Sequence, residues 1–234
     1  MKAFLLAAGH GTRLRPLTDR VPKCLLPIQG KPLLAIWLEQ CRRFGIGEVL
    51  VNVHSRAAQV SEFLQSQNNG VHVQVVEEPA LLGSAGTLLA NASWVAEEDC
   101  FWVFYADVLT CMDLDCMMNA HLTKRPAATL GVYRVPHPER CGIVDVAEDD
   151  MIREFVEKPA YPAGDLAFSG LMIATSRLLA AIPPRKPCDI GFDLLPRLCG
   201  RMLAHRISDY LLDIGTPETY QRAQDTWPGL SAQE

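Results

Sequence analysis

Short apolar runs alternate with longer segments of helical spacing through the first half of the chain, and this rhythm restricts the fold more than any other feature. Lys2–Ala7 reads as a buried strand. Pro32 can open a helix running to about Phe44, with Leu33, Leu34, Trp37, Leu38 and Cys41 recurring at helical spacing. Glu48–Val53 is then a strand, Ser55–Gln67 a helix and Val71–Val76 a strand. A short helix with Ser84 as its N-cap precedes the strand Phe101–Tyr105, and Asp113–Leu122 reads as a helix. Parallel strands need crossover connections, and helical crossovers cover the faces of the sheet. The expectation is therefore an α/β fold, with a Rossmann-like, mostly parallel sheet flanked by helices on both faces.

The second half changes style. Ala127–Val135, Cys141–Val146, Met151–Pro159 and Phe168–Thr175 are successive strand-like runs joined by short polar turns, which predicts an antiparallel insertion. Helices are expected near 176–182 and 190–199, followed by strand-like Leu203–Ile207 and Tyr210–Gly215 and a closing helix from Pro217. The 234 residues contain no repeat, linker or low-complexity segment, so the chain reads as one domain over 1–234. Its halves are 1–125 and 126–227, and the last residues, from Pro228, are expected to fray.

With 49% apolar and 21% charged residues the composition is that of a soluble globular enzyme. A net charge of −5 argues against a nucleic-acid or anionic-membrane binder, so an anionic ligand must be drawn by a local basic cluster. None of the eight cysteines forms a C-x-x-C pair, which predicts reduced thiols and a cytoplasmic location. The six histidines show no H-x-x-x-H pattern for zinc. The opening "MKAFLLAAG" runs straight into charged "HGTRLR" and is expected to belong to the folded site, not to a secretion signal. No apolar run approaches the roughly 20 residues that cross a bilayer.

The one dense basic cluster is "FLLAAGHGTRLRPLTDRVPKCLLPIQGKP", Phe4–Pro32. It is not a dinucleotide fingerprint, because Leu14 stands where the third glycine belongs, and it lacks the Gly-Lys-Ser/Thr of a P-loop. Ligands of open α/β sheets bind beyond the carboxyl ends of the strands, and the first strand delivers "AAGHGTR" to that edge. Gly9 and Gly11 let the backbone approach an anion, Thr12 adds a hydroxyl, and Arg13 offers a forked donor suited to phosphate. Lys23, preceded by Pro22, adds a point charge.

"LAAGHGTRLRPLT" followed by "PKCLLPIQGKP" closely resembles the signature of the sugar-1-phosphate nucleotidyltransferases. Downstream, "LLGSAGTL" (81–88) resembles that family's base-binding loop and "YADVL" its strand-end metal aspartate. "FVEKP" resembles its sugar-phosphate motif and "LLDIGTPETY" its second metal aspartate. The pattern is most similar to single-domain members of the mannose-1-phosphate guanylyltransferase type. The resemblance implies a reaction in which a sugar 1-phosphate attacks the α-phosphate of a nucleoside triphosphate and pyrophosphate leaves. Such chemistry asks a protein for positioning and charge neutralisation more than for covalent catalysis.

Carried over residue by residue, the resemblance gives Arg13 to the pyrophosphate and Lys23 to the α-phosphate or the incoming sugar phosphate. Asp107 and Asp213 become ligands of a divalent ion, Mg²⁺ or another divalent cation. Lys158 holds the sugar phosphate, and Arg13, Lys23, Asp107 and Lys158 form the catalytic set. Leu6, Ala7, Gly9, Gly11, Thr12, Arg13, Glu78, Gly83, Ala85 and Gly86 contact the nucleotide. Gly142, Glu157, Ser169 and Gly170 join Lys158 around the sugar phosphate. The resemblance allows a homodimer, and the end of the chain soon after "DIGTPETYQRAQ" leads us to expect no C-terminal β-helix domain.

The "LGSAGTL" form is closer to the guanylyltransferase loop than to the Gln-bearing loop of thymidylyl and uridylyl relatives, with Gly83, Ala85 and Gly86 leaving room for a base. Glu78 could accept both N1–H and N2–H₂ of guanine, whereas uracil and thymine offer one donor. GTP and mannose 1-phosphate are the favoured substrates. The alternatives are uridylyl or thymidylyl transfer to a glucose, N-acetylmuramic acid or heptose 1-phosphate, and a non-catalytic nucleotide-sugar sensor on the same fold. A degenerate sensor should have lost Arg13, Lys23, Asp107, Lys158 or Asp213, and all five are present.

Overall fold

The computed structural model describes residues 1–66 and 70–230. The chain forms two compact units. Met1–Leu81, Phe104–Met112 and Asp209–Glu234 make the first, and Leu82–Val103 with Asp113–Ser208 make the second. This division does not follow the expected boundary at residue 125. Val108–Thr110 pairs antiparallel with Leu211–Asp213, which returns both segments to the first unit.

In the first unit Lys2–Leu6 pairs parallel with Glu48–Val53, which pairs parallel with His72–Glu77. Ala3, Phe4, Leu5, Val49, Leu50 and Val51 are wholly buried. That is why both strands read as continuous apolar runs: each is covered on two faces. His72–Glu77 alternates between exposed and half-buried positions. The helix Leu33–Arg43 buries Leu33, Leu34, Ile36, Trp37, Leu38, Gln40 and Cys41, as its spacing predicts. The next helix spans Ala57–Gln65; its expected end at Gln67 lies outside the described residues.

Helix Leu33–Arg43 also fixes the Val108–Thr110 strand. Trp37 stacks on Phe104 at 4.6 Å and donates Nε1–H to Val108 O at 2.8 Å, while Gln40 Nε2 donates to Met112 O at 3.0 Å. The closing helix Pro217–Thr226 begins with a capping box between Thr216 and Thr219 and has Pro217 at its first position, where the missing N–H costs nothing. It packs Ala223 and Trp227 against Ile28, Leu33, Ile36, Leu109 and Ile214.

The second unit contains the antiparallel insertion and one exception to it. Ile152–Glu157 pairs antiparallel with Gly142–Val146, and Leu166–Ala174 pairs antiparallel with both Ala128–Arg134 and Gly142–Val146. Met202–Arg206, however, runs parallel to Ala128–Arg134. The helix Leu114–Lys124 starts at Asp113, whose side chain accepts from Asp115 N and Cys116 N. Two expected helices are shorter than predicted. Ser176–Leu179 makes little more than one turn before Pro183 and Pro184, and 190–199 splits into a π-helical turn Ile190–Leu194 and a 3₁₀ turn Leu195–Leu198. Pro196 explains the split, because it has no N–H to continue the helical ladder. Ser84 is not a cap: Gly83 holds that position and the helix Ser84–Ala90 begins at Ser84 itself. Among the described residues no helix is long and apolar enough to cross a membrane.

Candidate active site

The first unit brings several of the predicted nucleotide-site residues to the carboxyl end of its parallel strands. Ala7 N–H donates to Asn52 Oδ1 at 2.8 Å, and Asn52 Nδ2 donates to Glu78 Oε1 at 2.9 Å. Asn52 is 4% exposed and Glu78 3% exposed, so the amide ties three strand ends together in a buried setting. His54 Nδ1 lies 2.6 Å from Glu78 O. Asn52 was missed by sequence reasoning; its signal is a lone polar residue in the apolar run "EVLVNV".

Beyond Ala7 the chain turns through Gly9 and Gly11 into a 3₁₀ turn, Thr12–Leu14. Gly11 has φ +63 and its missing Cβ is faced by Thr18 Cγ2 at 3.0 Å, while Thr18 Oγ1 donates to Gly11 O at 2.8 Å. Leu14, the residue that defeats a dinucleotide fingerprint, is wholly buried and anchors the turn. Thr12 and Arg13 stay exposed beside it. Lys23 opens the 3₁₀ turn Lys23–Leu25 and places Nζ 2.5 Å from Asp107 Oδ2, with the two side chains 11% and 32% exposed.

Asp107 occupies the turn between Phe101–Tyr105 and Val108–Thr110. The position is fixed from both sides: Ala106 N–H donates to Leu6 O at 3.0 Å and Ile214 N–H to Asp107 O at 2.8 Å. Asp213 is in register with Val108, so the two aspartates, 106 positions apart in the chain, sit at one end of the same two-stranded ribbon. Next to them, a Cβ on Gly215 would lie 3.0 Å from Asp213 Oδ1 and 3.2 Å from Arg13 Nη2. Arg13, Lys23, Asp107 and Asp213 thus belong to one neighbourhood of alternating charge. A compact cation already stands at the Asp107 carboxylate in the form of the Lys23 ammonium. The oxygen donors there fit a hard divalent ion. No group of three His, Cys, Asp or Glu side chains able to hold a metal occurs among the described residues, so phosphate and water oxygens would have to complete its shell.

The second unit holds the other predicted residues. The Glu157 carboxylate is wedged between two glycines: a Cβ on Gly142 would come within 2.6 Å of Oε2, and one on Gly191 within 2.3 Å. Burial pushes the Glu157 carboxyl above its ordinary value; nearby Lys158 pulls it back and Asp189 adds to the rise. Lys158 adopts a left-handed backbone (φ +49), its N–H donating to Cys141 O at 2.9 Å. Its Nζ lies 3.7 Å from Glu157 Oε1 and 5.5 Å from the Phe192 ring centroid, and the ring is 58% exposed.

Two readings need correction. The space freed by Gly83 does not await a base: a Cβ there would lie 2.3 Å from Cys188 O, and Ala85 N and Gly86 N both donate to that oxygen at 3.0 Å. The chain itself fills the room. Ser169 is buried, and its hydroxyl faces Gly131 and accepts the Leu171 N–H at 3.3 Å, so these contacts are internal to the strand region, with Gly170 beside it at the register shift. Sequence reasoning also missed Asp189, Gly191 and Phe192, which no periodicity or motif marks.

A glycine-rich strand-end loop, a lysine–aspartate pair and a second aspartate thus stand on one α/β fold. The "Nucleotidyl transferase" family profile matches residues 2–228. The chain is 31% identical over 226 residues to the mannose-1-phosphate guanylyltransferase catalytic subunit beta of Xenopus tropicalis, covering 94% of this chain and 62% of that protein. It is 31% identical over 225 residues, with the same shares, to the mannose-1-phosphate guanylyltransferase of Mycobacterium tuberculosis. It therefore spans somewhat under two thirds of the length of these relatives. A putative glucose-1-phosphate thymidylyltransferase from Bacillus anthracis superposes with a TM-score of 0.86 at 25% identity, over 96% of this chain and 94% of that one. HddC from Yersinia pseudotuberculosis shares the fold, with a TM-score of 0.83 at 24% identity, over 97% and 99%. The chain belongs to the nucleotidyl transferase family.

Proposed function

We propose that this chain transfers a nucleotidyl group from a nucleoside triphosphate, GTP in preference, to a hexose 1-phosphate, mannose 1-phosphate in preference. The observation that carries this reading is the Lys23–Asp107 pair at a strand end, with Asp213 in register beside it. A phosphate oxygen of the sugar 1-phosphate attacks the α-phosphorus, the new P–O bond forms as the bond to the β-phosphate bridging oxygen breaks, and pyrophosphate leaves. Arg13 takes charge on the leaving pyrophosphate and Lys23 charge on the α-phosphate. Lys158 holds the sugar phosphate, and Glu157 accepts from sugar hydroxyls. Asp107 and Asp213 are the residues that would hold Mg²⁺, which when bound would offset phosphate charge.

GTP is favoured because the two relatives matched at 31% identity are guanylyltransferases. The buried Glu78 carboxylate, oriented by Asn52, supports it as the group that accepts guanine's paired donors. Gly83, Ala85 and Gly86 then contribute the outer face of their turn to the base, since the inner face is taken by Cys188. All eight cysteines are free thiols, which suits the cytoplasm. The test is pyrophosphate release with Mg²⁺ across five nucleoside triphosphates and a panel of sugar 1-phosphates. Turnover with GTP and mannose 1-phosphate is expected. Turnover with UTP or dTTP alone would overturn the base assignment, and no release with any pair would overturn the reaction.

A further inference from the structure

The segment Cys188–Phe192 touches both ligand-facing parts of the second unit. Toward the nucleotide turn, Cys188 N–H donates to Leu82 O at 2.8 Å, and Cys188 O accepts the two amides already described. Ser84 Oγ donates to Asp189 Oδ2 at 2.9 Å and accepts the Ile190 N–H at 2.7 Å. Toward the sugar-phosphate pair, Asp189 Oδ1 accepts from Gly191 N at 2.8 Å and Phe192 N at 3.1 Å. Gly191 is the residue that abuts Glu157, and Phe192 is the ring beside Lys158. Asp193 steadies the strap by accepting Asp189 N–H at 2.8 Å while pairing with Arg185.

We infer that Asp189 is a positioning residue that couples the nucleotide turn Gly83–Gly86 to the Glu157–Lys158 pair, so that binding of either substrate tightens binding of the other. The inference rests on the proposed reaction for which ligand each part takes. One oxygen of the Asp189 carboxylate accepts from Ser84 in the nucleotide turn and the other from Gly191 and Phe192, the strap residues that lie against Glu157 and Lys158, so one carboxylate anchors the strap at both ends. The packing is close at both ends: the missing side chain of Gly83 is replaced by Cys188 backbone, which cannot swing aside, and that of Gly191 by the Glu157 carboxylate. A ligand that displaces one end displaces the strap, and the second ligand then meets an end already displaced. Such coupling is reciprocal.

Calorimetric titration tests it, using GTP with a methylene bridge between its α- and β-phosphates so that no turnover occurs, and mannose 1-phosphate. In the wild-type protein each ligand is expected to bind about 5-fold or more tightly when the other is saturating, by the same factor in both directions. Ser84→Ala cuts one arm of the strap and Asp189→Ala both. Each should reduce that factor to about 1, equally in both directions, while both ligands still bind, a reciprocal loss that general loosening of the fold would not give. Ser84→Thr, which keeps the hydroxyl, should restore it. If Asp189→Ala does not fold, Ser84→Ala carries the test. A wild-type factor near 1, or coupling that survives Ser84→Ala, overturns the inference and leaves the reaction standing. Failure of the wild-type protein to bind either ligand or to release pyrophosphate overturns the reaction itself.

Discussion

Replacing Gly83 by alanine separates chain packing from ligand binding at the nucleotide turn. Gly83 has φ +78 and ψ +158, a region open to glycine and almost closed to other residues. Holding alanine there costs about 1–3 kcal/mol. Its Cβ would also stand 2.3 Å from Cys188 O and 2.7 Å from Cys188 C and N, all backbone atoms that cannot swing aside. Relieving that overlap adds about 1–3 kcal/mol. With a total of about 4 kcal/mol, and about 2–4 °C per kcal/mol for a chain of this size, melting should fall by about 8–16 °C. Gly164→Ala is the control: nothing lies within 4 Å of a Cβ there, so the melting point should hardly move. Differential scanning calorimetry reads both. A Gly83→Ala protein that melts within about 2 °C of the wild type would refute the close approach of Cys188 and with it the strap.

Lys23→Ala and Asp107→Asn should each lower kcat/KM for pyrophosphate release by about 10²–10³, because each removes charge stabilisation at the reacting phosphates; either variant at full rate would refute the assignment. His121 is buried and held well below its ordinary value, to about 4, by burial and by the Arg177 charge. Its neutral form is the native one, so the stability it contributes is fully present above the ordinary value of 6.5 and is lost as pH falls toward about 4. Urea melts across that window should show the acid loss of stability shrinking in His121→Gln. Thr216→Ala removes the capping hydroxyl of the closing helix and should cost about 1 kcal/mol by urea melts, an effect that Thr216→Ser should largely reverse.

Much of the fold was legible because burial writes itself into periodicity. "EVLVNV" and "FWVFY" are continuous apolar runs because the strands they form are buried, and helix Leu33–Arg43 shows its buried face at the expected spacing. What failed to show were features set by partners distant in the chain. Nothing in "LAHRI" states that it joins Ala128–Arg134 in parallel, while the neighbouring pairings are antiparallel. Nothing in "DIGFDLLPRL" except Pro196 warns that a helical pattern will break into a π turn and a 3₁₀ turn.

The candidate site divides in the same way, and Gly83 shows why. Arg13, Lys23, Asp107, Glu157 and Lys158 carry charges whose chemistry can be read from residue type, and the structure gives the last four of them partners of opposite charge or matching polarity, placing Arg13 by Gly215 and Asp213. A glycine carries only an absence. From the sequence, the space left by its missing Cβ can be assigned equally to a ligand or to the chain. At Gly83 and Gly191 the structure gives it to the chain: Cys188 backbone fills the first and the Glu157 carboxylate the second. These two glycines therefore act indirectly, by letting the Cys188–Phe192 segment close on both sides at once. That same closeness puts Asp189, which no motif marks, between Ser84 and the two residues that lie against Glu157 and Lys158.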